Sequence, residues 1–200
     1  MIEIKELTFS RGKNLILDRY STVIQSPGAT LLSGPNGSGK TTLLQLIGGV
    51  LKPDSGSIFI SGYDLSELKT KEQAALRSIA PQRRIFEFAF TVQEIFEIIK
   101  VKNRAAHAHE VFDALEVHDL LRLKVTELSL GQQQRVSVAL ALIQSAGYYL
   151  LDEPFSAQDS DFAQKMLDLI SSLSKKTGVL VVSHNTGQIE RYFQEIIHLS

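Results

Sequence analysis

The chain has 200 residues, 44% of them hydrophobic, and a formal net charge of −1. That supports one substantial core with a small subdomain attached, too little for several independent domains, and lacks the broad basic footprint of a nucleic-acid binder, so no nucleic-acid partner is expected. The absence of cysteine excludes a disulfide frame and a thiolate metal site, and suits a reducing cytosol.

The start, Met1 to Leu7, has neither the basic head nor the apolar stretch of a signal peptide. No run approaches the ~20 apolar residues of a membrane span, so any work at a membrane is expected to pass through a partner. Residues Ile2 to Phe9 alternate apolar and polar, Arg11 to Asn14 reads as a turn, and Ser21 to Gln25 is a second β-prone run. Together they predict an antiparallel flap. Ala29 to Ser33 is a short apolar run suited to a buried strand, and Leu43 to Ile47 continues as a helix with an apolar face.

Between them stand Gly34, Pro35, Asn36, Gly37, Ser38, Gly39, Lys40, Thr41 and Thr42, which fit G-x-x-x-x-G-K-[ST]. A backbone that curls with its N–H groups inward needs dihedrals that side chains forbid, hence the glycines. Lys40 then places a charge on the β- and γ-phosphates of a nucleotide, and Thr41 offers a hydroxyl to Mg²⁺. A helix starting near Gly39 aims its positive end at the anion. The competing interpretation is a plain glycine-rich turn before a helix. The order strand, loop, helix favours the phosphate loop.

Further along, Gly48-Gly49 and Lys52 to Gly56 stop the helix, Ser57 to Ile60 resumes a strand, and Asp64 to Arg77 is spaced for a surface helix. Ser78 to Pro81 re-enters the core. Between Gln82 and Leu128 the period is helical, with candidate helices at 91–100, 104–115 and 117–121, and Gly131 to Ser145 predicts a longer helix. Tyr148 to Leu151 is a buried strand, Asp161 to Leu173 a helix, Val179 to Ser183 a strand, Gln188 to Phe193 a short helix, and Ile196 to Leu199 strand-like. This alternation argues for an α/β fold with a mostly parallel sheet and helices on both faces.

A phosphate loop needs a metal-directing acid from a neighbouring strand, and Asp152 ends the apolar run Tyr148 to Leu151. Glu153, one peptide further, is a candidate general base for the attacking water. Taken alone, Asp152-Glu153-Pro154 reads better as an ordinary strand-to-turn exit, and the preceding phosphate loop reverses that preference. His107, His109 and His118 do not predict a metal site, because histidines two apart on a helix do not share a face and no acid or cysteine completes a set.

With these parts in place, the sequence resembles the ATP-binding-cassette (ABC) ATPases over nearly its whole length. Leu128-Ser129-Leu130-Gly131-Gln132 resembles the family signature Leu-Ser-Gly-Gly-Gln. Gln82 matches the glutamine loop, Ser156 to Asp159 the D-loop, and His184 the switch histidine. The resemblance implies one ABC ATPase domain over residues 1–200. It would have a P-loop NTPase core, an N-terminal antiparallel β subdomain (about 1–28 and 56–62) and an inserted α-helical subdomain (83–128).

The resemblance also implies ATP and Mg²⁺ as cofactors. Lys40, Gln82, Glu153 and His184 are the implied catalytic residues, with Thr41, Gln82 and Asp152 on the metal. A second cassette, identical or different, is implied to dock its ATP on Ser129, Gly131 and Gln132. Without the resemblance, the residues favour simpler readings: Ser129 and Gly131 as helix caps, Gln82 as a surface residue and His184 as a core histidine.

Five family positions, Phe155 among them, depart from the usual pattern. Arg11 replaces an aromatic residue that stacks on adenine, leaving its own guanidinium or Phe9 to take that place. Leu130 replaces the first signature glycine, Gln158 a leucine and Asn185 an aspartate. Phe86, Phe88 and Phe90 alternate near the glutamine loop, as core residues of the insert or as the groove for a helix of a membrane-spanning subunit.

The function expected is the ATP-hydrolysing subunit of a membrane transporter, peripheral on the cytoplasmic face of the membrane through its partner. The rivals are a regulatory cassette that hardly hydrolyses, a soluble cassette ATPase and a nucleotide kinase. The chain ends at Ser200, and no C-terminal regulatory domain is expected after His184.

Overall fold

The computed structural model describes residues 1–82, 89–99, 107–156, 158–184, 187 and 189–200. Strand β1 (Ile2–Arg11) runs antiparallel to β2 (Asn14–Ile24), and the chain turns between the paired residues Arg11 and Asn14. On its other side β1 pairs antiparallel with β4 (Ser55–Ile60), and β5 (Tyr63–Asp64) completes a sheet of order β2-β1-β4-β5. Ile2 and Ile4 share a face with Leu7 and Phe9 although the spacing from Ile4 to Leu7 is odd. A register shift between them, where Glu6 takes φ 47°, absorbs the extra residue and returns Leu7 to the buried side.

The second sheet is wholly parallel. It contains β3 (Gly28–Ser33), β6 (Arg77–Ala80), β7 (Tyr148–Asp152), β8 (Gly178–Val182) and β9 (Glu195–His198), in the order β6-β7-β8-β3-β9. Every residue of β7 and β8 is buried, as expected of parallel strands covered on both faces. Alternate side chains serve two cores. Leu32, Tyr148, Leu150, Leu180 and Val182 join α1 (Lys40–Ile47) and the antiparallel sheet. Leu31, Tyr149, Leu151, Val179 and Val181 join α5 (Leu130–Leu142) and α6 (Ser160–Ser174), together with apolar residues of the shorter helices.

Those shorter helices are α2 (Thr70–Leu76), α3 (Val92–Ile98) and α4 (Ala108–Ala114). Their starts are readable in the chain. Thr91 Oγ1 accepts from Glu94 N–H while the Glu94 carboxylate accepts from Thr91 N–H, and Asp159 caps α6 by accepting from Phe162 N–H at 2.8 Å.

Several predicted boundaries move. The helix expected over 64–77 is only α2, because the Asp64 carboxylate accepts from both the N–H and the hydroxyl of Ser66 and holds a turn there. Arg77 already belongs to β6. β2 begins at Asn14 and not at the expected Ser21, since pairing with β1 recruits a polar stretch that propensity alone leaves out. The helix expected over 117–121 is a 3₁₀ turn at His118–Leu120. Of the helix expected from 104 and the groove at Phe86 and Phe88, residues 100–106 and 83–88 lie outside the described residues. Phe90 is described and is partly exposed.

Candidate functional site

β8 lies between β3 and β7, so the ends of these three strands adjoin. Neighbouring parallel strands are about 4.8 Å apart, which gathers whatever follows them at the carboxyl edge of the sheet. After β3 comes the loop Gly34 to Gly39. Gly34 has φ 147° and a Cβ there would collide with the Leu199 carbonyl oxygen, while Gly39 caps α1 at φ 93° in the left-handed region. The first N–H bonded within α1 is that of Leu43, to Gly39 O at 2.7 Å. The N–H groups of Lys40, Thr41 and Thr42 therefore sit at the helix end without intrahelical partners.

Lys40 is buried, and its ammonium donates to Gly34 O and Pro35 O, each at 2.8 Å, which holds the charge inside the curl of the loop. Thr41 Oγ1 donates to Asp152 Oδ1 at 3.1 Å and so ties the start of α1 to the end of β7. Asp152 is 2% exposed. Burial pushes its carboxyl up to about 6; the Glu153 charge adds to the rise, and the Thr41 hydroxyl, the Gln82 N–H and the Lys40 ammonium oppose it.

Glu153 is buried at φ 49° and donates its N–H to Val182 O at 3.0 Å. Its Oε1 accepts from His184 Nδ1 at 2.9 Å, and the imidazole reaches it from an exposed position just beyond β8.

A cavity of about 420 Å³ is lined by Lys40, Thr41, Glu153 and His184, whereas Gly34, Pro35, Ser38 and Asp152 are not among its lining residues. Of the predicted site residues, Arg11, Asn36, Gly37, Gly39, Lys40, Thr41 and Thr42 line it from one side, and Gln82, Glu153 and His184 from the other. Ile16, on β2 beneath Gly39, also lines it and was not anticipated. Phe9, the alternative to Arg11, is instead a buried core residue paired with Leu17. Leu199, whose N–H donates to Ser33 O at 2.8 Å, and His198, whose Nδ1 is 3.1 Å from Ser33 Oγ, support the loop from β9. No local pattern marks either of them.

Ser129, Gly131 and Gln132 do not line this cavity. They form the N-terminus of α5, where Ser129 Oγ accepts from Gln132 N–H at 3.2 Å and Gln132 Oε1 accepts from Ser129 N–H at 2.9 Å. Capping is thus present in full, and Leu130 beside it is 72% exposed. His107 is occupied with the Leu142 carbonyl at 2.8 Å and the Tyr149 hydroxyl at 3.3 Å.

The model for the family described as ABC transporter matches residues 17–156. The chain belongs to the ABC transporter family. Among its relatives, a probable iron chelatin transport ATP-binding protein of Helicobacter pylori is 34% identical over 212 residues, covering 100% of this chain and 83% of the relative. The hemin import ATP-binding protein HmuV of Rhizobium meliloti is 37% identical over 188 residues, covering 86% of this chain and 72% of the relative. In solved structures, the dimeric bacterial ABC transporter cassette MJ0796 superposes with a TM-score of 0.88 at 29% identity, covering 100% of this chain and 94% of that one. A post-hydrolysis dimer of the same cassette, bound to ADP and Pi, gives 0.88 at 28% identity.

The donor set of this ABC cassette suits a nucleoside triphosphate with a hard cation. N–H groups without intrahelical partners, a helix N-terminus and a buried ammonium gather in the segment from Gly34 to Thr42, and the Thr41 hydroxyl at its end stands against a carboxylate oxygen of Asp152. Among the described residues no helix is long and apolar enough to cross a membrane.

Proposed function

We propose that this ABC cassette is the ATP-hydrolysing subunit of a membrane transporter, with residues 1–200 acting as a single cassette domain. It would sit on the cytoplasmic face through a membrane-spanning partner and close against a second cassette. The observation that carries the proposal is the Glu153–His184 contact, which lines one cavity together with Lys40 and with Thr41, the hydrogen-bond partner of Asp152.

In this proposal the loop N–H groups from Gly34 to Thr42 and the Lys40 ammonium take the β- and γ-phosphates, and Arg11 and Ile16 flank the base. Mg²⁺, when bound, would neutralise phosphate charge, and Thr41, Asp152 and Gln82 are the residues that would hold it. Glu153 accepts the proton of the attacking water, while His184 holds the carboxylate in place and faces the γ-phosphate. Ser129, Gly131 and Gln132 serve the ATP of the second cassette, consistent with their position away from this chain's own cavity. The relatives named for iron chelatin and hemin favour a chelated metal as the cargo.

The test is Mg-ATP turnover against protein concentration for the wild type and Glu153→Gln, with association followed by size exclusion. Turnover that rises more steeply than concentration, and vanishes in a variant that dimerises on ATP, supports the proposal. A wild type that binds ATP but neither associates nor turns over refutes self-pairing. The exposed Leu130 favours one second reading, a cassette that pairs with a different chain.

A further inference from the structure

The start of α5 and the segment that leaves Glu153 are joined by a side chain. Gln158 Nε2 donates to Gly131 O at 2.9 Å, and its Oε1 accepts from Arg135 Nε at 3.1 Å, so one amide is satisfied at both ends by the first turns of α5. Arg135 is itself fixed. It donates through Nη1 to Glu116 Oε2 at 2.6 Å, and its guanidinium carbon stands 4.0 Å from the Phe162 ring centroid. Lys165 of α6 donates to the other Glu116 oxygen, so α5, α6 and the residues after α4 converge on this anchor.

Toward the site, Ser156 donates both its N–H (3.1 Å) and its hydroxyl (2.9 Å) to Glu153 O, which makes the exit from Glu153 a tight turn. Asp159 then caps α6. A leucine at position 158 would make neither of the amide's bonds.

We propose that Gln158 is a positioning residue: it clamps the N-terminus of α5 to the segment leaving Glu153, so that the Ser129–Gly131 face is held in a fixed place relative to the chain's own hydrolytic half-site. The inference rests on the proposal above that this face receives the ATP of a second cassette. Gln158 does not line the nucleotide cavity. Its loss therefore acts on pairing and on turnover within the pair, and not on nucleotide binding by the separate chain.

The experiment compares Gln158→Leu and Gln158→Glu in the Glu153→Gln background. It reads ATP-dependent dimerisation by light scattering, affinity for a fluorescent ATP analogue at low protein concentration, and thermal melting. Gln158→Leu loses both bonds. Gln158→Glu still accepts from Arg135 but has no donor for Gly131 O. Both variants should weaken the ATP-bound dimer about tenfold, the scale of one net hydrogen bond at each of two sites. Nucleotide affinity of the separate chain should stay near the parent, and its melting should fall by only a few degrees, the scale of one or two lost part-buried hydrogen bonds.

If Gln158→Glu dimerises like the parent while Gln158→Leu melts lower, the residue only supports Arg135 and the clamp is refuted. Equal dimerisation of all three proteins refutes it as well and leaves the pairing proposal standing. If the Glu153→Gln parent does not dimerise on ATP, the pairing proposal fails and the clamp fails with it.

Discussion

Glu153 is the residue at which backbone strain and chemistry coincide, and the strain is measurable apart from the chemistry. Its φ is 49°, a left-handed value unfavourable for a residue with a Cβ, and the following Pro154 pushes its neighbour toward extended backbone instead. Glu153→Ala and Glu153→Gly both remove the contact to His184 and the buried carboxylate, so they differ only in the Cβ. At ordinary positions glycine is the less stable of the two by about 0.5–1 kcal/mol, because its unfolded chain is freer. Here the left-handed penalty on alanine, about 1–2 kcal/mol, opposes that difference and exceeds it. Glu153→Gly should therefore be more stable than Glu153→Ala by about 0.5–1 kcal/mol, roughly 2 °C in Tm for a chain of this size. Urea unfolding of both nucleotide-free variants, followed by circular dichroism, reads the difference, and both should be inactive. Alanine proving equal to or more stable than glycine would refute the strain.

Three further outcomes follow from the same geometry. Gly34→Ala should fold yet lose nucleotide affinity by roughly a hundredfold or more, because its Cβ meets a backbone carbonyl that only a shift of the loop can avoid; titration with a fluorescent nucleotide reads it. Leu130→Gly should strengthen ATP-driven association several-fold by uncovering the N–H groups at the start of α5, at a helix cost of about 0.5–1 kcal/mol; analytical ultracentrifugation and melting separate the two effects. Glu116 is held below the ordinary carboxylate range by the Lys165 ammonium first, with the Arg135 hydrogen bond also contributing, against partial burial. A depressed acid pKa stabilises the fold above the unfolded-chain value and loses that contribution as pH falls through the folded one. The stability gap between wild type and Glu116→Gln, about 0.5–1 kcal/mol at neutral pH for so exposed a group, should accordingly close in acid; chemical denaturation at several pH values measures it.

Much of the site was legible because its demands are local. A loop that needs left-handed dihedrals shows as Gly37 and Gly39, and a fully buried strand shows as the unbroken run Tyr148 to Leu151 ending in an acid. The capping of α5 was legible as Ser129 followed three residues later by Gln132. What stayed hidden depends on contacts between distant segments, which leave no periodic trace. The full length of β2 rests on pairing with β1 across register shifts, and Ile16 reaches the cavity only because of that pairing. Leu199 supports Gly34 from the far end of the chain, and Gln158 bonds a residue 27 positions away. Propensity is silent on such pairs, as it was on the Asp64 turn that shortens α2.

The cavity is assembled from features that each disfavour the folded state. Asp152 is a carboxyl shifted by burial up to about 6, Lys40 keeps its charge from water, Glu153 is strained, and three N–H groups of α1 have no intrahelical partner. Each costs on the order of 1–3 kcal/mol, and together they would exceed the net stability of many domains if they stood on loops alone. They stand instead at the ends of β3, β7 and β8, whose side chains fill two cores at once, so the cost is met by packing that site mutations do not touch. A bound nucleotide returns part of it, since a ligand at a hundredfold its Kd adds about 2.7 kcal/mol by linkage alone. The same reasoning explains why the Ser129–Gly131 face is capped by its own side chains. It does not line the nucleotide cavity, and a helix start with no ligand must be stable before the proposed second cassette arrives.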